Sequence, residues 1–157
     1  MGHGPFSHVF EVALRRMEPT EWKHEQNSID LFRMLIEQNG IDLEEHGLDK
    51  QDQAFIEELI LGADLPGGIA ARRGRGADKE FLYDIVNNVN SGLDVDKMDY
   101  FMRDAKASIG NNVTLDRFIE LARVCEVVDP SAASNTRRTI CYPEKLVVEA
   151  VEFFRLR

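Results

Sequence analysis

Apolar residues recur every three or four positions along most of the chain, the spacing of helices with one buried face. Ile29, Phe32, Leu35 and Ile36 mark a helix from Glu21 to Gln38, and Asn39-Gly40 supplies its stop signal. Phe55, Ile56, Leu59 and Ile60 repeat the pattern from Asp52 to Leu61. Phe81, Leu82, Ile85, Val86 and Val89 do so from Lys79 to Val89. Two further helices are expected from Asp94 to Ala107 and from Thr114 to Val127. Arg138 to Tyr142 reads as a short strand, and Glu144 to Leu156 as a closing helix. The fold class expected is all-α, a helical core with one small β element.

The breaks in the pattern are as informative. Asp64 to Ala77 has no periodicity and reads as a flexible loop, its Arg72, Arg73 and Arg75 a solvated cluster among glycines. Asp129 to Asn135 is a linker by composition. The closing helix is apolar around much of its circumference, through Leu146, Val147, Val148, Ala150, Val151, Phe153 and Phe154. Such a helix is normally covered on several sides. The 157 residues therefore read as one partial domain, cut at both ends.

A net charge of −9 argues against general nucleic-acid binding, which needs a basic surface. A small anion needs only a local cationic cluster and stays compatible with it. No stretch of about 18 apolar residues is present, so no membrane span is expected. The two cysteines, Cys125 and Cys141, are too few for a disulfide framework and sit among apolar residues as inert hydrophobes. An intracellular home, nuclear or cytoplasmic, is the simplest expectation.

Chemistry concentrates in two places. Near the start, Gly2-His3-Gly4-Pro5-Phe6-Ser7-His8 sets two imidazoles beside a helix that Phe10, Ala13 and Leu14 continue, a cradle for an anionic oxygen. Further on, the run Asp94-Val95-Asp96-Lys97-Met98-Asp99-Tyr100-Phe101-Met102-Arg103-Asp104 is the densest chemical segment. At about 100° per residue, Asp96, Lys97, Tyr100, Arg103 and Asp104 share one side of a helix, with Val95, Met98, Phe101 and Met102 opposite. Asp96 suits a metal, Lys97 a phosphate, and Tyr100 can donate to one. The plainer alternative is a surface helix laced with i,i+4 ion pairs. His24, beside Trp22, is by itself an ordinary half-buried core histidine.

Five blocks in order, Gly2 to His8, Lys23-His24-Glu25-Gln26, Phe81 to Val86, Gly92 to Asp104 and Arg117 to Val127, resemble the HD-domain deoxynucleoside triphosphate triphosphohydrolases. The likeness is to their eukaryotic SAM-and-HD-domain branch in particular. It runs over most of the chain, failing chiefly in Asp64 to Ala77 and in Asp129 to Arg137. It implies hydrolysis of a dNTP to a deoxynucleoside and triphosphate, with a divalent metal (Fe, Zn, Mn or Mg) as cofactor. By position it makes Asp96 a metal ligand, and His3 and His8 contacts to substrate phosphates. His24 becomes a catalytic histidine, oriented by Glu11 where the family has an Asp. Lys97, Tyr100 and Asp104 become phosphate and sugar contacts, and Arg157 a triphosphate contact. Arg117 and Lys145 fall where the family binds an activating nucleotide, GTP or a dNTP, at an interface of its homo-oligomer. Pro143 stands there in place of a basic residue.

The same likeness places a His-Asp metal pair, and an earlier His, ahead of Met1. The metal site is thus expected to be incompletely ligated, and this chain inactive in isolation. Two alternatives stay open: another HD phosphohydrolase, a phosphodiesterase or nucleotidase, and a non-catalytic fragment that binds nucleotide or a partner.

Overall fold

The structure, a computed structural model, describes residue 2 and residues 8–17, 22–108, 115–128 and 136–155, with the side chains of residues 8 and 104–108 left aside. The linker expected from Asp129 to Asn135 lies outside the described residues. The chain divides into two compact units, Met1–Gly74 and Arg75–Arg157.

The first unit holds α1 (His8–Met17), α2 (His24–Gln38) and α3 (Lys50–Leu61). Asn39 ends α2, followed by Gly40 at φ +59°, a conformation that suits glycine. Asp49 opens α3: its carboxylate accepts from Gln51 N (2.7 Å) and Asp52 N (2.9 Å), while Asp52 reaches back to Asp49 N (2.9 Å). This reciprocal cap satisfies amides that the first turn leaves without helical partners. Arg33 of α2 forks onto Glu57 of α3, with Nε–Oε1 at 2.8 Å and Nη2–Oε2 at 2.5 Å. The Phe10 and Trp22 rings meet edge to face at 5.8 Å.

Beyond α3, the segment read as a loop carries two 3-10 turns, Gly62–Asp64 and Gly68–Ala71. Its far end is tied down by a buried carboxylate: Glu58 accepts the backbone N–H groups of Arg73 (2.6 Å) and Gly74 (3.0 Å). A Cβ on Gly74 would come within 2.3 Å of Phe55 Cα, so only glycine fits that approach.

The second unit holds α4 (Phe81–Val86), α5 (Val95–Ser108), α6 (Asp116–Leu121), β1 (Arg123–Val128), β2 (Thr136–Cys141) and α7 (Val147–Arg155). The expected small β element is a two-stranded antiparallel sheet in a mostly helical structure, with Cys125 opposite Thr139 and Arg123 opposite Cys141. The helix expected to run on to Val127 stops at Leu121 instead. Val124, Val127 and Val128 are β-branched and favour extended backbone, and β2 supplies the partner that fixes it. The helix expected to reach Val89 stops at Val86. Asn88 takes over there, its side-chain oxygen accepting from Asn90 N (3.1 Å) and Ser91 N (3.0 Å), a local turn that competes with the helix.

Leu93, Phe101, Leu115, Phe118, Leu146 and Phe153 form the buried core of this unit. The closing helix starts as a 3-10 turn, Glu144–Leu146, and continues as α7. It is buried on one side only, since Val147, Val148, Val151 and Phe154 are exposed. A buried carboxylate joins α4 to the sheet: Asp84 accepts from Thr139 Oγ1 (2.5 Å), Ile140 N (3.1 Å) and Asn90 Nδ2 (3.3 Å). Cys125 and Cys141 are half-buried free thiols, and burial first, then the neighbouring Cys125, pushes the Cys141 thiol up. That favours the unreactive protonated form. Among the described residues no helix is long and apolar enough to cross a membrane.

Candidate functional site

In the first unit the site is built around the first turn of α2. His24 is buried, with Nδ1 3.0 Å from Glu11 Oε2 of α1 and Nε2 2.9 Å from Glu25 Oε1. Each ring nitrogen of His24 thus faces a carboxylate oxygen. Arg15, one turn along α1, pairs with the other oxygen of Glu11 and holds that carboxylate in place. The structure thus brings together Glu11 and His24, and adds Glu25, a partner that sequence reasoning missed although it is the next residue.

Gly2 lies against the same turn. Its N–H donates to Ser28 Oγ (2.8 Å), its carbonyl accepts from Asn27 Nδ2 (3.1 Å), and Ser28 Oγ donates to the His24 carbonyl (2.8 Å). A Cβ at Gly2 would stand 2.5 Å from the His24 carbonyl oxygen, so the glycine is what admits this contact. His3 lies outside the described residues, as does the side chain of His8, the first residue of α1.

In the second unit the site residues lie on α5. Asp94 caps it: one oxygen accepts from Lys97 N (3.0 Å) and the other from Asn88 N (3.0 Å). That fixes the turn on which Asp96 and Lys97 stand. Asp96 is exposed and has neither ion pair nor hydrogen bond among the described residues. Lys97 is half-buried. The apolar side differs from the expected one. Phe101 is buried and Met98 lies against the core, but Val95 and Met102 are exposed. Tyr100, expected on the polar side, lies on the core with its ring 4.6 Å from Phe101. Arg103 pairs with Asp99 at 2.9 Å, an i,i+4 surface pair as in the plainer alternative. The Asp104 side chain and Arg157 lie outside the described residues.

Arg117 and Lys145, expected at a nucleotide site, are both exposed. Arg117 is engaged by Glu149, an ion pair that ties α6 to α7. Lys145 sits in the 3-10 turn ahead of α7, and Pro143 precedes that turn.

No group of three or more His, Cys, Asp or Glu side chains among the described residues is placed to hold a metal ion. Catalytic metal sites supply about three protein ligands, and among the described residues Asp96 is not joined by two others. A groove of about 520 Å³ in the first unit, lined by Ile36, Ile41, Leu43 and Leu48 with Asp42 and Asp49, contains none of the expected site residues.

No protein-family model matches the chain. It is 41% identical over 167 aligned residues to the deoxynucleoside triphosphate triphosphohydrolase SAMHD1 of Homo sapiens, covering 100% of this chain and 25% of that protein. The homologue of that protein in Dictyostelium discoideum is 32% identical over 158 residues, again covering the whole chain and 26% of the relative. A putative HD domain-containing protein of Acanthamoeba polyphaga mimivirus is 28% identical over 160 residues, 29% of its length. The chain spans about a quarter of the length of the curated relatives it matches.

Proposed function

From this kinship along the whole chain, we propose that the 157 residues act as part of an HD-type dNTP triphosphohydrolase. The reaction is attack of water on the α-phosphorus, cleavage of the bond to the 5′-oxygen, and release of deoxynucleoside and triphosphate. The observation that carries the reading is His24, buried and held at 3.0 Å by Glu11 on the N-terminal turn of α2. In this role Nδ1 of His24 stays on Glu11, which orients the ring, while Nε2 leaves Glu25 to give its proton to the leaving 5′-oxygen. Lys97 faces the triphosphate as a cation, joined by His3, His8 and Arg157; Tyr100 and Asp104 contact phosphate and sugar.

A divalent metal belongs to this chemistry in the family that the chain resembles, and Asp96, exposed and without a partner among the described residues, is the residue here that would take part in holding one. The work assigned to the described residues is proton transfer and anion binding. An activating nucleotide at Arg117 and Lys145 requires Arg117 to leave Glu149. Assembly into a homo-oligomer, and a nuclear or cytoplasmic home, belong to the same reading.

The test is a chimaera in which this chain replaces the matching quarter of the human relative. Metal-dependent release of intact triphosphate from dGTP is the expected result. Asp96→Ala should then remove bound metal and activity together. A folded chimaera that releases pyrophosphate or orthophosphate instead, or an Asp96→Ala variant that keeps stoichiometric metal, overturns the reading.

A further inference from the structure

Lys97 stands in unusual surroundings for a half-buried lysine. Among the described residues its ammonium has no carboxylate and no hydrogen-bond partner. It lies instead over the ring of Phe154, 6.0 Å from the centroid. On another side is Gly92, where a Cβ would come within 2.9 Å of Lys97 Nζ.

The Phe154 wall of this cradle is fixed by the core that fixes α5 itself. Phe154 meets Phe153 edge to face at 5.3 Å, and Phe153, 2% exposed, meets Phe101 of α5 at 4.7 Å. The aromatic chain therefore runs from α5 through α7 and back to the lysine that α5 carries. Gly92, at φ +68°, ends a turn whose geometry the buried Asn88 sets, through Asn90 N, Ser91 N and its own Nδ2 bond to the Leu93 carbonyl (3.3 Å). A carboxylate partner would neutralise Lys97, whereas an aromatic face attracts the ammonium and leaves its charge available to an anion.

We infer that Phe154 is a positioning residue that holds the Lys97 ammonium, without a carboxylate partner among the described residues, preorganised for a phosphate-class anion. The anion rests on the reading proposed above; the cradle itself does not.

Two measurements separate them. The first uses NMR of the lysine Hε and Cε groups of the chain, with Lys97 assigned by its loss in Lys97→Arg. Ring current should move its Hε signals upfield of the other lysines. Phe154→Leu should abolish the shift and Phe154→Trp should keep it, each variant checked by far-UV CD. The second is titration with inorganic triphosphate at several salt concentrations. Phe154→Leu should weaken binding about two- to fivefold, the range expected of an exposed cation–π contact, with an unchanged salt slope. Phe154→Tyr should restore it. In a Lys97→Gln background Phe154→Leu should have no further effect.

An unshifted Lys97 signal in the native chain, or an equal loss of affinity from Phe154→Leu with and without the lysine, overturns the inference. A ring-current shift that behaves as expected in a chain that binds no triphosphate upholds the cradle and removes the phosphate reading of the site.

Discussion

His24 illustrates how much one residue depends on its partners. Its ring is buried among Glu11, Glu25 and the turn that Gly2 covers, so truncation removes a proton donor and also leaves two carboxylates facing each other. In the active chimaera, His24→Ala should lower kcat by about 10²–10⁴-fold, the usual worth of a general acid, with KM little changed. Glu11→Gln keeps the shape and removes the orienting charge, and should lower kcat less. Steady-state kinetics on both variants checks this; equal kcat in His24→Ala and the unmodified chimaera would remove His24 from the chemistry. The pairing of Glu11 with His24 was legible through the family resemblance. Glu25 was not, since adjacent residues on a helix ordinarily point about 100° apart, and only the folded turn shows its carboxylate 2.9 Å from the ring.

At the scale of elements, two contacts decide which pieces stay together. Asp84 is 2% exposed and gathers the Thr139 hydroxyl, the Ile140 amide and the Asn90 amide, tying α4 to β2. Asp84→Ala leaves those donors unsatisfied and should cost about 2–4 kcal/mol, read as a lowered midpoint in urea at unchanged slope. Thr139→Val should cost less, because two of the three donors remain.

In the first unit, Glu57 lies below the usual carboxylate range, chiefly because of the hydrogen bond from Arg33 and secondarily that from Gln53. A carboxylate depressed on folding adds stability above its unfolded pKa and loses it as pH falls through the folded value. The Tm difference between the native chain and Arg33→Met should therefore be small but present at neutral pH, where solvent screens the pair, and should vanish in acid. A difference that persists below the carboxylate range would mean that Arg33 acts through its aliphatic stem.

For the whole molecule, the exposed apolar residues are the dominant fact. Val147, Val148 and Val151 are 55%, 67% and 45% exposed on one stripe of α7, and Ile119 of α6 is 69% exposed. Exposed apolar patches of this kind promote association. The chain should self-associate with rising concentration in sedimentation velocity, and Val148→Lys should shift it towards monomer without lowering Tm. Identical concentration dependence in the two proteins would show that this stripe is not what associates.

What the amino-acid sequence determined by itself was local. The spacing of Phe55, Ile56, Leu59 and Ile60 places α3, Asn39-Gly40 ends α2, and the helical step sets Asp96 beside Lys97, because helix hydrogen bonds join residues only four apart. What the tertiary structure decided was long-range. Arg123 to Val128 is extended because β2 offers it a ladder, a choice its own residues leave open. Val95 and Met102 face water because the core meets α5 at Met98, Tyr100 and Phe101. Lys97 lies over Phe154 because a chain of aromatic rings closes through a helix far along the sequence. In each case the deciding partner is distant in the chain, and only folding brings it within a few ångströms.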